Sequence, residues 1–311
     1  MTATQHTVHR IDIGAAPDLV FQIIADAADW PLHFGPTIHV DRTALDSPAE
    51  RLSIWATAND DVKHWTSRRD VDREAGKVAF RQEVSAPPVA SMGGEWIVEA
   101  GPDGCTRLTL THDFTAVDDD PAHLDWIGRA TDRNSRTELA NIKTLAEEHD
   151  RTAALTFSFE DSVLVDGAPE AVYEFLYDAA RWPDRLPHVG DLKVREEVPG
   201  IQVMTMDTRA ADGSVHTTES VRVCFPAERI VYKQTLPPAL MTAHVGEWTV
   251  AKTADGVLAT SRHTVTVREE AVETVLGAGA TVQQAKDFIR KAAGGNSAAT
   301  LGHAKTFVEA G

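Results

Sequence analysis

A chain of 311 residues has room for two domains of ordinary size, each able to bury a hydrophobic core without disulfide bonds or structural metal. A formal net charge of −17 excludes a general nucleic-acid-binding protein, because phosphate contact needs clusters of Lys and Arg. Cys105 and Cys224 lie in different halves, the first residues lack an export signal, and no run of about 18 apolar residues exists. These features predict a cytoplasmic protein that needs no metal, no nucleic acid and no membrane.

The first half of the chain has the pattern of a strand, a short helical segment, a series of strands and a long helix. Polarity alternates over 8–13 as in a strand, and Pro17 then stands where the first turn of a helix tolerates proline. Trp-Pro at 30–31 ends this helical segment. About six segments of alternating polarity follow between 38 and 114. The acidic residues and proline at 118–121 are typical of a helix start, and the apolar spacing after them predicts one long helix.

The second half repeats the first about 152 residues later. Ala-Pro-Asp-Leu-Val-Phe at 16–21 returns as Ala-Pro-Glu-Ala-Val-Tyr at 168–173, and Gly-Glu-Trp at 94–96 returns at 246–248. A period of this length indicates two copies of one domain rather than a solenoid.

We therefore predict an α+β protein of two tandem domains, 1–150 and 151–311. In each, a curved antiparallel sheet covers its apolar face with one long C-terminal helix, which leaves a cavity between them. The Gly-Gly-Asn-Ser sequence at 294–297 predicts a kink or an end in the second long helix.

Strand parity predicts which side chains point into the first domain. The inward set is Trp65, Ser67, Arg69, Phe80, Gln82, Trp96 and His112. An inward arginine is costly unless an anionic or carbonyl-rich group meets it, so Arg69 is a candidate ligand-binding residue. The alternatives are a buried carboxylate partner or a strand edge that lifts Arg69 to solvent. For His112 the alternative to a functional role is a hydrogen-bonded core histidine.

In the second half, His263 aligns with His112 when one gap is allowed, and it again lies on an apolar face. Trp248 and Gln234 repeat Trp96 and Gln82. By the repeat offset, 217–221 stands opposite 65–69, so tryptophan, serine and arginine are predicted to be lost from the second interior. There Glu219 and His244 are expected to point inward, with Glu219 either a partner for His263 or a carboxylate at a solvated strand edge.

With Trp-Thr-Ser-Arg-Arg at 65–69 and Gly-Glu-Trp at 94–96 in the first copy, the chain resembles the di-domain aromatase/cyclases of bacterial type II (aromatic) polyketide synthases. The resemblance covers nearly the whole chain and implies helix-grip domains of the START and birch-pollen-allergen kind. It implies ring closure, commonly C7 to C12, and dehydration of a poly-β-ketone chain on an acyl carrier protein. Other components of the synthase are implied as partners, with no metal or nucleotide cofactor.

The resemblance also implies roles for single residues. Arg69 would polarise a ketone or enolate oxygen, Ser67 would add a hydrogen bond, and His112 would transfer protons. Trp65 and Trp96 would shape the pocket wall. From the predicted loss of the arginine and the serine in the second copy, we expect the first domain to carry the aldol step and the second to assist dehydration or mainly to support the first. The competing hypothesis is a START-like carrier or sensor that binds a hydrophobic ligand without changing it.

Overall fold

Alternating strands and one long helix fold in the same way in both halves of the chain. The computed structural model describes residues 4–58, 61–209 and 213–310, and its contacts divide into two units, up to Asp150 (domain 1) and from Arg151 (domain 2).

Domain 1 consists of β1 (Gln5–Ile13), α1 (Pro17–Ala25), α2 (Trp30–His33), β2 (Thr37–Ala44), β3 (Ala49–Ala58), β4 (Asp61–Asp72), β5 (Lys77–Gln82), β6 (Val89–Ala100), β7 (Thr106–Ala116) and α3 (Pro121–Glu147). A short helix, α4 (His149–Leu155), spans the boundary. Domain 2 consists of β8 (Thr156–Val165), α5 (Pro169–Tyr177), α6 (Trp182–Arg185), β9 (Val189–Val198), β10 (Ile201–Arg209), β11 (Val215–Phe225), β12 (Arg229–Leu236), β13 (Met241–Thr253), β14 (Gly256–Val267), α7 (Val272–Leu276) and α8 (Val282–Glu309).

Each domain forms one antiparallel sheet of seven strands within the described residues. The strand order is β1-β7-β6-β5-β4-β3-β2 in domain 1 and β8-β14-β13-β12-β11-β10-β9 in domain 2. Both domains therefore have the predicted α+β architecture, in which the first strand joins the last and the long helix follows it.

Side-chain hydrogen bonds hold both ends of the first long helix, α3. Asp120 caps α3 by accepting hydrogen bonds from the backbone N–H groups of Ala122 (2.8 Å) and His123 (3.4 Å), and proline follows it as the first helical residue. At the other end, Lys143 donates to the carbonyl oxygen of Asp12 at 2.7 Å. These contacts hold α3 along β1, over the apolar face of the sheet.

The second long helix is continuous, so the predicted end of a helix at 294–297 is wrong. α8 runs through the glycines without interruption. At Gly294 a Cβ atom would stand 1.9 Å from Nη1 of Arg290, which shows that the missing side chain makes room for the arginine lying over the helix. This glycine therefore allows a close contact between α8 and the Arg290 side chain.

Across the described ranges, none of the helices is both long and apolar enough to cross a membrane. The same residues include no cluster of three or more His, Cys, Asp or Glu side chains with the geometry of a metal site.

The close packing around Gly94 of β6 gives a test of the fold. A Cβ atom there would lie 2.0 Å from the carbonyl oxygen of Thr111 and 2.8 Å from the ring of Phe80. We expect Gly94→Ala to lower the free energy of unfolding by about 1–3 kcal/mol, as overpacking does, in urea unfolding.

The matched control is Gly302→Ala in α8, where a Cβ atom would meet nothing within 4 Å. Because alanine favours helix more than glycine does, this variant should be neutral or stabilising by up to about 1 kcal/mol. Equal losses in the two variants would contradict the packing described for Gly94.

Candidate functional site

A row of directly paired residues crosses the middle of each sheet. We call it the central row. From β1 to β3 of domain 1 its members are Thr7, His112, Gly94, Phe80, Arg69 and Glu50. From β8 to β10 of domain 2 they are Phe159, His263, Gly246, Tyr232, Arg222 and Gln202. The strand register thus matches the two interiors residue by residue.

The central row corrects the predicted comparison of the two domains. Arg222, not Val221, corresponds to Arg69, and Ser220 corresponds to Ser67. The chain between the paired positions of β10 and β11 is one residue longer than that between β3 and β4, which reverses the parity of the strand. The second interior has therefore kept the serine and the arginine, and of the three residues only the tryptophan is replaced, by Thr218.

The same shift places Glu219 on the other face of β11. Its side chain is exposed, so Glu219 does not point inward, and the alternative of a solvated carboxylate is the arrangement observed. His244, in contrast, does point inward and is 4% exposed. It bonds directly to His263, as described below.

Each of the three guanidinium nitrogens of Arg69 donates a hydrogen bond. Its guanidinium is 2% exposed, donates to the carboxylate of Glu50, and donates to the carbonyl oxygens of Ile24 (3.0 Å) and Ala25 at the end of α1. It also lies 5.6 Å from the ring centroid of Trp30. Burial lowers the pKa of Arg69 and the Glu50 carboxylate opposes that shift. The alternative of a buried carboxylate partner is thus the arrangement observed.

Arg222 makes the same attachment in domain 2 with a different countercharge. It donates to the carbonyl oxygen of Leu176 at 2.6 Å and lies 5.1 Å from the ring centroid of Trp182. Gln202 replaces Glu50, and its amide donates to the carboxylate of Glu196 at 2.8 Å. In domain 2 the residue paired with the arginine is therefore a glutamine, and the carboxylate belongs to Glu196, to which that glutamine donates. Burial lowers the pKa of Arg222.

His112 is half-buried in the interior of domain 1, with the ring of Phe80 edge-on at 5.5 Å between centroids. Its Nδ1 atom is buried and has no hydrogen-bond partner among the described residues. Burial, followed by the charge of His9, lowers the pKa of His112 to about 4. The ring is therefore neutral at physiological pH and has one nitrogen open.

His263 has the same place in domain 2, but all its hydrogen-bonding positions are filled. Nδ1 lies 2.9 Å from Nε2 of His244 and 3.0 Å from the hydroxyl of Tyr232, while Nε2 lies 2.8 Å from the hydroxyl of Ser297 and 3.1 Å from that of Ser261. The His244 ring continues the chain, with Nδ1 at 2.8 Å from the carbonyl oxygen of Gln234.

The proton positions in this chain follow from its last acceptor. Because the Gln234 oxygen accepts, neutral His244 donates from Nδ1 and accepts at Nε2. His263 then donates from Nδ1, and its Nε2 accepts from Ser297. Both ring nitrogens of His263 and of His244 therefore have partners within the protein, which is the arrangement expected of a rigid polar core.

The long helices complete each interior with different groups. The ion pair between Lys143 and Glu147 of α3 recurs in α8 between Lys305 and Glu309. The two helices can therefore be aligned on these pairs, and residues the same number of positions before them correspond. By that spacing Ser135 corresponds to Ser297, but its hydroxyl is buried without a partner.

Glu138 follows Ser135 by three residues on the same helix face, where α8 has Thr300. Burial raises the pKa of the Glu138 carboxyl group to about 7. The alternation of faces along a strand does not identify Glu138, because this residue lies on a helix. The helical spacing of Thr131, Ser135 and Ile142, all buried, is the signal that would have placed Glu138 on the inward face.

The remaining sequence-predicted residues line or support the interiors. Trp96 and Trp248 are buried in the two main hydrophobic clusters, and half-buried Trp65 packs against the cluster of Leu52 and its neighbours. Ser67 donates to the carbonyl oxygen of Arg81 at 3.2 Å, and Gln82 accepts from Ser85 at 3.2 Å. The structure thus brings Phe80 and His112 together, and keeps Arg69 three strands away from His112 along the central row.

The family model described as polyketide cyclase / dehydrase and lipid transport matches the chain twice, over residues 4–147 and 156–309. One curated relative is the granaticin polyketide synthase bifunctional cyclase/dehydratase of Streptomyces violaceoruber, 43% identical over 96% of this chain and 94% of that protein. Another is the actinorhodin polyketide synthase bifunctional cyclase/dehydratase of Streptomyces coelicolor, 43% identical over 96% of this chain and 95% of that protein.

Solved structures agree with these matches. The di-domain ARO/CYC BexL from the BE-7585A biosynthetic pathway is 50% identical, with a TM-score of 0.91 over 98% of this chain and 99% of that chain. The di-domain ARO/CYC StfQ from the steffimycin biosynthetic pathway is 34% identical, with a TM-score of 0.89 over 98% of both chains. The chain therefore belongs to the polyketide cyclase / dehydrase and lipid transport family. Its full-length relatives support a cyclase/aromatase role in polyketide biosynthesis.

The Glu50 carboxylate can be tested as the countercharge of Arg69. Removing one partner of a buried ion pair leaves a charge uncompensated, so Glu50→Gln should lower the free energy of unfolding of domain 1 by about 3–5 kcal/mol. Amide hydrogen exchange under urea would measure this loss in each domain separately.

Domain 2 supplies the matched rescue, because Ala44 corresponds to Glu196. The double variant Ala44→Glu with Glu50→Gln reproduces the glutamate and glutamine around Arg222 and should recover part of the lost stability. A single variant as stable as the original protein would show that the Glu50 carboxylate is not needed to hold Arg69.

The buried histidine pair of domain 2 predicts a loss of stability in acid. Burial lowers the pKa of His263 from 6.5 to about 4 and that of His244 from 6.5 to about 3. Between about pH 6.5 and about pH 4 these histidines are protonated in the unfolded chain but remain neutral in the folded protein. Because the unfolded state binds more protons, the free energy of unfolding falls as the pH falls. Domain 2 amide exchange, measured across this range, should show a shallower pH dependence in His244→Gln. An unchanged slope would mean that His244 is not held neutral.

Proposed function

We propose that this protein, in the cytoplasm, closes the first ring of a poly-β-ketone chain, between C7 and C12, and dehydrates it to an aromatic ring. The chain would arrive attached to an acyl carrier protein, with the other components of a type II polyketide synthase. The full-length relatives named as cyclase/dehydratases support this proposal.

One observation supports domain 1 as the place of the proposed reaction. The interior of domain 1 offers buried polar atoms without protein partners, His112 Nδ1 and Ser135 Oγ, whereas the corresponding His263 and Ser297 of domain 2 bond to each other at 2.8 Å. A buried polar group without a partner is costly, and a ligand that supplies the hydrogen bond recovers that cost. A ketone or hydroxyl oxygen of the chain has the chemistry to do so.

The groups of domain 1 suit an aldol closure followed by loss of water. A base takes a proton from a methylene between two ketones, the enolate carbon attacks a distant ketone carbon, and the new alkoxide takes the proton back. Loss of the hydroxyl as water then needs an acid to protonate its oxygen and a base to take the proton from the neighbouring carbon as the C=C bond forms. The Glu138 carboxyl group, with a pKa raised by burial to about 7, is suited to protonate that hydroxyl, and neutral His112 is suited to hold or relay the proton.

Arg69 takes part in this proposal as a positioning residue. Its donors are directed at Glu50 and at the end of α1, so it fixes the helix and the aromatic wall of Trp30 and Trp65 rather than reaching across the interior. Since an enclosed wall selects which two carbons of a flexible chain meet, loss of Arg69 is expected to misdirect ring closure. Ser67 supports the same strand.

Domain 2 supports domain 1 in this proposal. Its interior repeats the architecture, but the closed network around His263 leaves no ring nitrogen for a substrate. Trp248 and Gln234 then serve packing and the network, instead of substrate binding.

Product analysis with a carrier-bound poly-β-ketone, with and without the protein, tests the function. We expect the protein to replace a mixture of spontaneous products by one ring-closed aromatic product. His112→Gln should shift the products toward the mixture and slow ring closure by on the order of 10²-fold, since general acid–base groups contribute that much.

His263→Gln provides the comparison between domains. If the greater loss of ring closure followed His263→Gln while both variants stayed folded, the reaction would belong to domain 2. If omitting the protein left the products unchanged while the protein bound an aromatic ligand tightly, a carrier or sensor would replace the enzyme.

A further inference from the structure

A second histidine lies buried in domain 1 next to the proposed site. His9, on β1, is 8% exposed, and its Nε2 lies 2.8 Å from a carboxylate oxygen of Asp132 on α3. Asp132 is half-exposed and also accepts from Arg136 at 3.0 Å. The pair joins the sheet to the long helix, one turn before Ser135.

The Asp132 contact fixes the orientation and the tautomer of the His9 ring. A carboxylate can only accept, so Nε2 donates to it, and the lone pair of the neutral tautomer lies on Nδ1. Arg136, followed by His9, lowers the pKa of Asp132 to about 2, so the carboxylate stays ionised and can stabilise a proton added to the ring. This is the arrangement by which a carboxylate orients a histidine base.

The free nitrogen of His9 is buried and has no partner among the described residues. Three neighbouring groups share that condition: Thr7 Oγ1, His112 Nδ1 and Ser135 Oγ. Strand pairing places Thr7 opposite His112, and the charge of His9 acts on the pKa of His112 after burial. Four buried polar atoms without protein partners in one part of the interior of domain 1 have the chemistry to receive the polar groups of a ligand.

Domain 2 does not have this pair. By strand register Asp161 occupies the place of His9, and by helix spacing Gly294 occupies that of Asp132. Asp161 instead pairs with Arg290, at 2.8 Å, where domain 1 has Gly128. A carboxylate and a guanidinium form a fixed ion pair and cannot exchange protons near neutral pH. Proton-transfer chemistry at this place is therefore confined to domain 1.

We propose that His9, oriented by Asp132, is the base that starts ring closure in domain 1, an inference that rests on the proposed function. Nδ1 takes a proton from a methylene between two ketones, and the C–H electron pair becomes the enolate. The enolate carbon forms the new C–C bond, the attacked C=O pair moves to its oxygen, and this alkoxide recovers the proton from His9. No proton is gained or lost, so no co-reactant is needed.

The experiment measures two reactions of the full-length protein. The first is ring closure of a carrier-bound poly-β-ketone. The second is exchange of deuterium into the methylene groups of heptane-2,4,6-trione, above the background of the buffer, by proton NMR. The variants are His9→Gln, Asp132→Asn and, as a control, His6→Gln, an exposed histidine on the same strand.

We expect His9→Gln to slow both reactions by on the order of 10²-fold, and Asp132→Asn by about tenfold or more, while His6→Gln changes neither. Asp132→Asn in the His9→Gln background should add no further loss, because the carboxylate acts through the ring. Asp132 is half-exposed, so its variant keeps the test decisive if His9→Gln folds poorly.

Exchange and ring closure at the original rates in folded His9→Gln would overturn the proposal for His9 and leave the proposed function standing. Exchange that depends on His9 without ring closure by the original protein would instead overturn the proposed function. Absence of any protein-dependent exchange would exclude a base in domain 1.

Discussion

Both domains depend on one buried interaction, an arginine that ties the end of a short helix to the sheet. The last carbonyl groups of a helix have no hydrogen-bond partner within it. In domain 1, Arg69 donates hydrogen bonds to two of them, the carbonyl oxygens of Ile24 and Ala25. Trp30 covers the guanidinium and donates its own N–H to Ile23 at 3.1 Å. The Trp-Pro pair after each helix and the arginine of each sheet thus form one unit, which fixes the wall of the interior before any ligand enters.

Duplication kept that unit and changed the chemistry beside it. Arg222 and Trp182 repeat the attachment in domain 2, with the countercharge moved from the strand of Glu50 to Glu196. Further along the central row, His263 bonds to Ser297, whereas His112 does not bond to Ser135. In domain 2 both ring nitrogens of the central histidine have protein partners, and domain 1 retains the open groups on which the proposed reaction relies.

The order of helices and strands could be predicted because the spacing of apolar residues that distinguishes them is a local property of the chain. The internal repeat shows the same spacing twice. The pairing of His112 with His263 followed from this repeat. Arg222 was missed because one extra residue before β11 reverses the parity, and a register of this kind is set only when the strands pair. His9 and Asp132 are 123 residues apart and meet through helix packing, for which the sequence contains no local signal.

The central claim is that ligands bind in domain 1 through open polar groups, while the buried histidine rings of domain 2 are occupied by protein partners. Its most direct test is NMR of the full-length protein with labelled histidine rings, titrated with a stable aromatic ketone. The account predicts that the ring signals of His9 and His112 shift on binding and those of His244 and His263 do not. Shifts confined to His244 and His263 would contradict it.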